Sequence, residues 1–293
     1  MINVNHKKRI LFSIYMMFFV LSVQAQAIER AFVVYNTKGK KTSVKKMLAV
    51  SKRADCILFG EFHDNPIVHW LQLEMANSLS NSKSICFGFE MFESDQQTIV
   101  DNYVSGKLTE QQFKDSCRWW PNYITDYKPL IELAKEKGIP CIASNVKRKY
   151  ASLLFKNGRS SLDTLSVNEK NKFAPLNFQV DSTLSQYREV RKMGGHGKGL
   201  GMMEAQAFKD ATMAMHIKKW LDLNFQVLHF NGAFHSDYYQ GILWYLTQST
   251  TASQFKYLTI STVSQKNINT LEKEHLGKAD FIICVPENMT KTH

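Results

Sequence analysis

The sequence lacks the cysteine patterns of a disulfide-stabilised protein. Its 293 residues contain five cysteines, an odd number, and none lies in a C-x-x-C pair. An odd, widely spaced set in a chain of this length excludes a disulfide framework. Four of the cysteines lie inside apolar runs, where a free cysteine behaves as a small hydrophobic residue. These four are Cys56, Cys86, Cys141 and Cys284.

Long hydrophobic runs are also scarce, and the one that is present lies at the N-terminus. The basic stretch MINVNHKKR precedes the apolar run ILFSIYMMFFVLSV, which at about 14 residues is short for a membrane-spanning helix. Small residues follow at Ala25 and Ala27. This pattern predicts a signal peptide over residues 1–27 and a secreted or periplasmic mature protein. An uncleaved N-terminal anchor is the alternative.

The composition is that of a globular protein with a basic surface. Hydrophobic residues make up 44% of the chain and charged residues 22%, which is enough apolar material for a sizeable core. The formal net charge of +11 favours acidic partners such as anionic head groups or carboxylate ligands. Nucleic acid is not expected as a partner, because the protein is predicted to be secreted. A basic protein without an acidic partner remains the alternative.

Short apolar runs alternate with amphipathic stretches over most of the chain. The runs predict strands at 55–60, 84–90, 139–144, 225–231, 256–262 and 280–285. Helical patterns lie at 64–80, 94–104, 108–117, 127–137, 204–222 and 236–248. Most strand candidates are apolar throughout, which is typical of strands covered on both faces in a parallel sheet. We therefore predict a single α/β domain over residues 28–293, with a mostly parallel sheet flanked by helices.

Residues 145–203 interrupt this alternation. They contain helical and loop-like patterns but no clear strand. We predict that they form a helical insertion or cap over the sheet. Glycines recur between residues 193 and 201, so we expect that stretch to be flexible.

Ionisable residues follow the predicted strands at the points where the strands end. The first strand leads into the sequence GEFH and the fourth into GAFH, which are two copies of a G-x-x-H segment. Because the carboxyl ends of parallel strands share one edge of a sheet, ligands bind there. We expect the following side chains to meet at this edge: Glu61, His63, Glu90, Asn145 and His235.

Two histidines and two glutamates in one place suggest a metal site. Buried carboxylates need a cation to offset their charge, and a divalent ion of the zinc, manganese or iron type suits these ligands. The predicted metal ligands are Glu61, His63, Glu90 and His235. The alternative is that each residue caps a helix or lies in a solvated loop, as we expect for Asp64 before the helix that Pro66 begins. For the long helix after residue 203 we favour structural roles, although Asp210 could reach the site.

Two basic clusters in the predicted cap each contain a tyrosine. The sequence VKRKY ends at Tyr150, and QYREVRKMGGHGKG contains Tyr187 and His196. Cations suit carboxylate groups such as haem propionates, and Tyr and His are ligands of haem iron. Covalent c-type attachment is excluded because there is no C-x-x-C-H segment. Solvated helix faces are the alternative for the individual lysines.

Several segments together carry a resemblance to a known family. They are ILFGEFHDNPIVHWLQLEM, GFEMFESDQQTIVDNYVSG, IPCIASN, MMEAQAFKDATMAMHI and VLHFNGAFHSDYYQGI. With these segments in this order, the chain resembles the ChaN-type haem-binding lipoproteins. The resemblance implies an α/β core, haem bound with tyrosine ligation at the surface of a homodimer, and a role in haem or iron acquisition with an outer-membrane uptake system. One departure is the absence of a lipobox cysteine, so a lipid anchor is not expected.

The resemblance and the basic neighbours together suggest which residues hold haem. We predict Tyr150 as the iron ligand, with Tyr187 as the second choice. His196, Lys147 and Arg148 are predicted to be further haem contacts.

The paired G-x-x-H segments support a second function. They are similar to those of TIKI/TraB-type metal-dependent proteases and erythromycin-esterase-like hydrolases, where Glu and His at strand tips form the active site. The alternative function is therefore a metal-dependent hydrolase that uses the four predicted metal ligands, and whether the protein is an enzyme stays open.

Overall fold

The computed structural model describes residues 30–81, 84–248 and 252–293. Residues Phe32–His293 form one compact unit. The predicted signal peptide, residues 1–27, lies outside the described residues. Where the chain is described, no helix combines the length and apolarity needed to cross a membrane.

An eight-stranded sheet forms the centre of the fold, with strand order β2-β1-β8-β7-β3-β6-β4-β5. The strands are β1 (Val33–Asn36), β2 (Lys41–Thr42), β3 (Cys56–Glu61), β4 (Ile85–Glu93), β5 (Cys141–Asn145), β6 (Gln226–Gly232), β7 (Tyr257–Gln265) and β8 (Phe281–Pro286). The run from β8 to β5 is parallel, and β1 is antiparallel to both β8 and β2. The predicted α/β fold is confirmed, and β1 and β2 add an edge that the pattern did not predict.

Strand β3 shows why the apolar runs form a parallel sheet. All of its residues are buried, and it pairs with β6 on one side and β7 on the other. Its side chains alternate between two cores, since Ile57 and Phe59 pack in one core cluster and Cys56 and Leu58 in another. Helices on both faces therefore require apolar side chains at successive positions, as in residues 56–59.

Helices cover both faces of the sheet. They are α1 (Val44–Ser51), α2 (Pro66–Leu79), α3 (Gln97–Val104), α4 (Glu110–Ser116), α5 (Lys128–Lys137), α6 (Arg148–Asn157), α7 (Val167–Lys170), α8 (Ser185–Met193), α9 (Gly195–Asp222) and α10 (Ile242–Thr247). Helices α1 to α5 supply the core on one face, and α9 and α10 supply the core on the other. The N-cap of α2 is Asn65, whose side chain accepts from the Val68 amide, rather than Asp64 as expected.

The predicted helical cap is present as α6, α7, α8 and the first half of α9. It has a small core of its own, which includes Leu154, Phe173 and Phe208. The glycine-rich stretch is helical from Gly195 onward, and the flexibility expected of it stays a prediction. Glycine is needed there for close packing, because a Cβ on Gly201 would lie 2.5 Å from a backbone oxygen of α6.

The predicted helix 236–248 is shorter than expected. Two single-turn 3-10 segments, Ala233–His235 and Asp237–Tyr239, precede α10. The interruption comes from Tyr238 and Tyr239, whose φ angles are 59° and 61°. Two consecutive non-glycine residues in the left-handed region are strained and cannot continue an α-helix.

Candidate functional site

The two G-x-x-H segments lie side by side at the carboxyl edge of the sheet. Strands β3 and β6 are parallel neighbours, and their register places Gly60 opposite Asn231 and Glu61 opposite Gly232. Strand β4 pairs with the other side of β6 and contributes Glu90. Three adjacent strands therefore bring the predicted site residues to one place, which we call the strand-edge cluster: Glu61, His63, Glu90 and His235.

The glycine of each segment makes room for the other segment. A Cβ on Gly60 would lie 2.9 Å from the Ile260 carbonyl oxygen and 3.0 Å from the Cα of Ala233. A Cβ on Gly232 would lie 2.9 Å from Nε2 of His63. The reason for glycine at these positions is close approach of the two segments, not an unusual backbone angle.

Glu61 is buried and accepts three side-chain hydrogen bonds. Its donors are Nδ1 of His63 at 2.8 Å, the hydroxyl of Tyr127 at 2.6 Å and Nε2 of Gln72 at 2.5 Å. Burial opposes ionisation, but the hydrogen bond from His63 and the charge of His69 outweigh it, so the pKa of Glu61 is lowered. Glu61 is therefore an anion that holds the imidazole of His63 by its Nδ1–H.

The backbone at His63 is fixed by a buried polar network. Its carbonyl oxygen accepts from Nε2 of His69 at 3.0 Å and from Nδ2 of Asn122 at 2.6 Å. Asn122 also donates to Asp126 at 2.7 Å, and Asp126 accepts from the hydroxyl of Thr292 at 2.7 Å. This network fixes the loop that presents His63.

His63 is the most open member of the cluster. Its side chain is 37% exposed, and its ring packs edge-on against Trp120 with 4.8 Å between the ring centroids. Because Nδ1 is bound to Glu61, Nε2 is left without a hydrogen bond within the described residues. Burial opposes the charged ring, but the hydrogen bond to Glu61 and the charge of Glu90 outweigh it, so the pKa of His63 is raised.

His235 is buried between two carboxylates. Its Nε2 lies 3.1 Å from Oε1 of Glu90, and its Nδ1 is bound to Asp210. The other oxygen of Glu90 accepts from the Gly232 amide at 2.7 Å. Burial opposes the charge on His235, but Glu90 and Asp210 outweigh it and raise the pKa of His235 to about 10. Burial likewise opposes ionisation of Glu90, yet His235 and then His63 hold the pKa of Glu90 far below its usual value.

Asp210 is a site residue that the sequence pattern placed within reach of the site but did not favour. It lies on α9, is fully buried, and accepts from the Tyr187 hydroxyl at 2.9 Å in addition to binding His235. We expected structural roles on this helix. The available signal was its position next to the buried, small-residue stripe that includes Ala207 and Ala211.

The predicted metal ligands form two imidazole–carboxylate pairs, Glu61 with His63 and Glu90 with His235. The cations that the buried carboxylates require are therefore available from the histidines. A metal ion at this edge stays a prediction. Asn145, at the end of β5, is buried beside Glu93, and its Oδ1 has no hydrogen-bond partner among the described residues.

The predicted haem ligands are buried in the cap. Tyr150 donates to Glu169 at 2.5 Å, and burial together with Glu169 raises the pKa of Tyr150 to about 12. The hydroxyl of Tyr187 is bound to Asp210. Either tyrosine would have to leave its carboxylate partner to bind iron, so their ligand roles stay predictions.

The other three predicted haem contacts differ in how they are placed. Lys147 is paired with Asp95 at 2.6 Å, and Arg148 is exposed. The backbone of His196 lies in α9, but its side chain is outside the described part of the structure.

Three exposed apolar side chains lie where α8 leads into α9. Met193, Leu200 and Met202 are 62%, 57% and 37% exposed. Exposed cations lie in the same stretch of chain at Arg191, Lys192 and Lys198, of which Lys192 is paired with Glu189 at 2.6 Å. We call these six residues the α8–α9 patch. Exposed apolar side chains with cations close by in the chain suit a flat apolar macrocycle with two carboxylates, so the residues present here fit haem.

Comparison with solved structures shows the fold. The structure described as cofacial haem binding to ChaN of Campylobacter jejuni matches with a TM-score of 0.61, at 17% identity over 86% of this chain and 96% of that one. A mutant of the erythromycin esterase EreC in its open conformation matches with a TM-score of 0.50, at 8% identity over 87% of this chain and 97% of that one. None of the curated proteins is significantly similar to this chain.

The family follows from the sequence itself. A family model described as "Haem-binding uptake, Tiki superfamily, ChaN" matches residues 47–246. The matched region runs from α1 to α10, so it contains the strand-edge cluster and the whole cap. The chain therefore belongs to the ChaN family of haem-binding uptake proteins within the Tiki superfamily.

Proposed function

We propose that this protein binds haem on the α8–α9 patch and serves haem or iron acquisition outside the cytoplasm. Membership of the ChaN family carries the proposal. The patch supports it, because its apolar side chains can cover one face of the porphyrin while its cations pair with the propionates. The predicted signal peptide agrees with a secreted or periplasmic location.

Titration of the purified protein with haemin tests the site. The wild type is expected to give a saturable Soret band. A Leu200→Asp or Met193→Asp variant should bind haemin about 10- to 100-fold more weakly, because burying one such side chain contributes roughly 1.5–3 kcal/mol. Leu223→Asp is the matched control, since Leu223 is 64% exposed just beyond the far end of α9. Equal affinities in all of these variants would place haem elsewhere.

The iron ligand is tested separately from the surface. We propose tyrosine ligation, so the band should have tyrosinate character and change in Tyr150→Phe or in Tyr187→Phe. A band that is unchanged in both variants eliminates both tyrosines, and His196→Ala then tests whether the predicted haem contact at His196 is the ligand instead. Sedimentation of the same samples with and without haemin tests the homodimer that the resemblance implies.

The strand-edge cluster supports a second candidate function, a hydrolase. This candidate is supported by the pair that buried, anionic Glu61 forms with partly exposed His63. An imidazole held at Nδ1 by a carboxylate can accept a proton at Nε2 from a water that attacks an ester or amide carbonyl. A bound divalent metal would supply an activated water, with the cluster's Glu and His as its ligands.

Hydrolysis and metal content are measured on the same sample to test this candidate. Wild-type protein should hydrolyse a panel of ester and peptide substrates, and His63→Ala should lose about 10²–10⁴-fold of that activity. His216→Ala is the control, because His216 binds only the Lys172 carbonyl oxygen, at 3.0 Å, within the described residues. An activity that survives in His63→Ala, or no activity on any substrate, would eliminate the candidate.

A further inference from the structure

The turn between β7 and β8 carries an unusual group of side chains. Residues Lys273–His275 form a 3-10 turn. Ligand atoms of Glu272, Glu274 and His275 all lie within 4.8 Å of one another. Both glutamates are exposed and the histidine is buried. This group belongs neither to the strand-edge cluster nor to the α8–α9 patch.

His275 has an unsatisfied imidazole. Only 8% of the residue is exposed, yet neither ring nitrogen has a hydrogen-bond partner among the described residues. Other buried histidines here do have partners, since the ring of His229 lies 2.8 Å from Ser144 and 3.1 Å from Asn231. Burying a polar group without a partner is costly, so an orphaned ring next to two carboxylates points to a missing ligand.

We propose that Glu272, Glu274 and His275 form a binding site for a divalent transition-metal ion such as Zn²⁺. Zinc is bound by imidazole nitrogen and by carboxylate oxygen, and water can fill the fourth position of a site with three protein ligands. The imidazole selects a transition metal over Mg²⁺ or Ca²⁺, which prefer oxygen ligands alone. Zinc needs ligand distances of about 2.0–2.2 Å, and the exposed glutamates can adjust to reach them.

The charges around the turn are compatible with a cation. Two carboxylates face one neutral imidazole, so the ligand set is anionic. The nearby cation Lys278 is already paired with Asp237, with 3.3 Å between Nζ and Oδ2. Lys273 is exposed, so its charge is screened by water.

The turn also contacts the segment that follows His235. The hydroxyl of Tyr238 donates to the Glu274 carbonyl oxygen at 2.9 Å, and its amide donates to the Lys278 carbonyl oxygen at 2.7 Å. Because the backbone of Tyr238 is in the left-handed region, an ion that fixes the turn would also fix this strained residue. The site nevertheless stands independently of both proposed functions.

Calorimetric titration of Zn²⁺ into tag-free, EDTA-treated protein at pH 7.5 tests the proposal. This pH is above the ordinary imidazole pKa of about 6.5. We expect one equivalent to bind, and Glu272→Gln, Glu274→Gln and His275→Asn each to weaken that binding at least tenfold. Glu287→Gln is the control, as an exposed glutamate just after β8. Co²⁺ should give the visible absorption of a tetrahedral site in the wild type and not in Glu274→Gln.

The strand-edge cluster is the rival location for zinc, and a double variant separates the two. His63→Ala with His235→Ala should retain the zinc equivalent if it binds at the turn. Loss of the equivalent in that variant, with binding unchanged in Glu272→Gln and Glu274→Gln, would overturn the proposal. So would the absence of any saturable binding. The two glutamates are exposed, so their variants are expected to fold and the experiment stays decisive even if His275→Asn does not fold.

Discussion

The two G-x-x-H segments are nearly identical in sequence and lie in different environments. Segment 60–63 carries its own carboxylate, Glu61, and its histidine is partly open. Segment 232–235 has Ala233 at the corresponding position, and its histidine is buried between carboxylates that come from β4 and α9. The first segment can present an imidazole to a ligand, whereas the second connects three elements of the fold.

This difference shows that the surrounding structure sets the role of a repeated motif. We call segment 60–63 the open copy and segment 232–235 the buried copy. In the buried copy Glu90 and Asp210 offset the desolvation of His235, and His235 offsets that of Glu90, whereas burial still raises the pKa of Asp210. Within the described residues the imidazole of the open copy makes one hydrogen bond, to Glu61, which leaves its Nε2 available to react. We therefore expect changes at the buried copy to affect stability first, and changes at the open copy to affect chemistry first.

Removing Asp210 is expected to give the largest effect on stability. Asp210→Ala leaves the cationic ring of His235 buried with Glu90 alone and removes the partner of Tyr187. Breaking a buried pair in this way costs about 3–5 kcal/mol, which should appear as a lower free energy of unfolding in urea.

Glu204→Ala is the matched control on the same helix. Glu204 is partly exposed, and Oε1 of Glu204 lies 3.3 Å from Arg159. Loss of such a pair costs less than about 1 kcal/mol. Similar losses in Asp210→Ala and Glu204→Ala would contradict the structural role that we assign to the buried copy.

The next largest effect is expected in the pH dependence of stability, which should reflect the titration of His235 in the buried copy. The pKa of His235 is raised to about 10, from an ordinary value of about 6.5 in the unfolded chain. Its contribution is complete below pH 6.5 and is lost as the pH rises towards 10. The lowered pKa values of Glu61 and Glu90 give a second loss as the pH falls below 4.5. The thermal midpoint should therefore fall above pH 6.5, and this fall should be smaller in His235→Gln.

Most of the fold was predictable from hydrophobic pattern. The six apolar runs became β3 to β8, because strands covered on both faces must be apolar at every position. Strands β1 and β2 did not stand out in the sequence because they are only four and two residues long, and β2, which forms the sheet edge, has no buried residue. The glycine-rich start of α9 was not predicted to be helical, and its glycines have two reasons to be there: Gly201 packs closely against α6, whereas Gly195 and Gly197 have positive φ angles.

The candidate site was predictable only in part. The strand ends identified Glu61, His63, Glu90 and His235, because parallel strands share one carboxyl edge. Asp210, Gln72 and Tyr127 come from helices or a helical turn, where a local pattern such as the small-residue stripe beside Asp210 indicates a buried face but not which partner a side chain meets. The partners that distinguish the two histidines were therefore visible only in three dimensions.

Alanine substitutions at Gly60 and Gly232 should also distinguish the two segments, by a smaller difference in the free energy of unfolding. Gly60→Ala forces a Cβ against the backbone at Ile260 and Ala233, which cannot move aside, and should cost about 1–3 kcal/mol. Gly232→Ala meets the ring of His63, which is partly exposed and can rotate away. We expect a smaller loss of unfolding free energy for Gly232→Ala, measured in urea, together with a displaced His63 ring signal in NMR spectra. The reverse order of stability would contradict this interpretation.

The smallest effect on stability is expected for His63→Gln. Glu61 stays buried in that variant, but it keeps the hydrogen bonds from Tyr127 and Gln72. The loss should be about 1 kcal/mol or less, because the removed side chain is partly exposed. If the cluster is catalytic, the same variant loses about 10²–10⁴-fold of the activity, whereas His235→Gln loses stability as well. A large stability loss in His63→Gln would mean that the open copy is also structural, and the chemical distinction between the two segments would then fail.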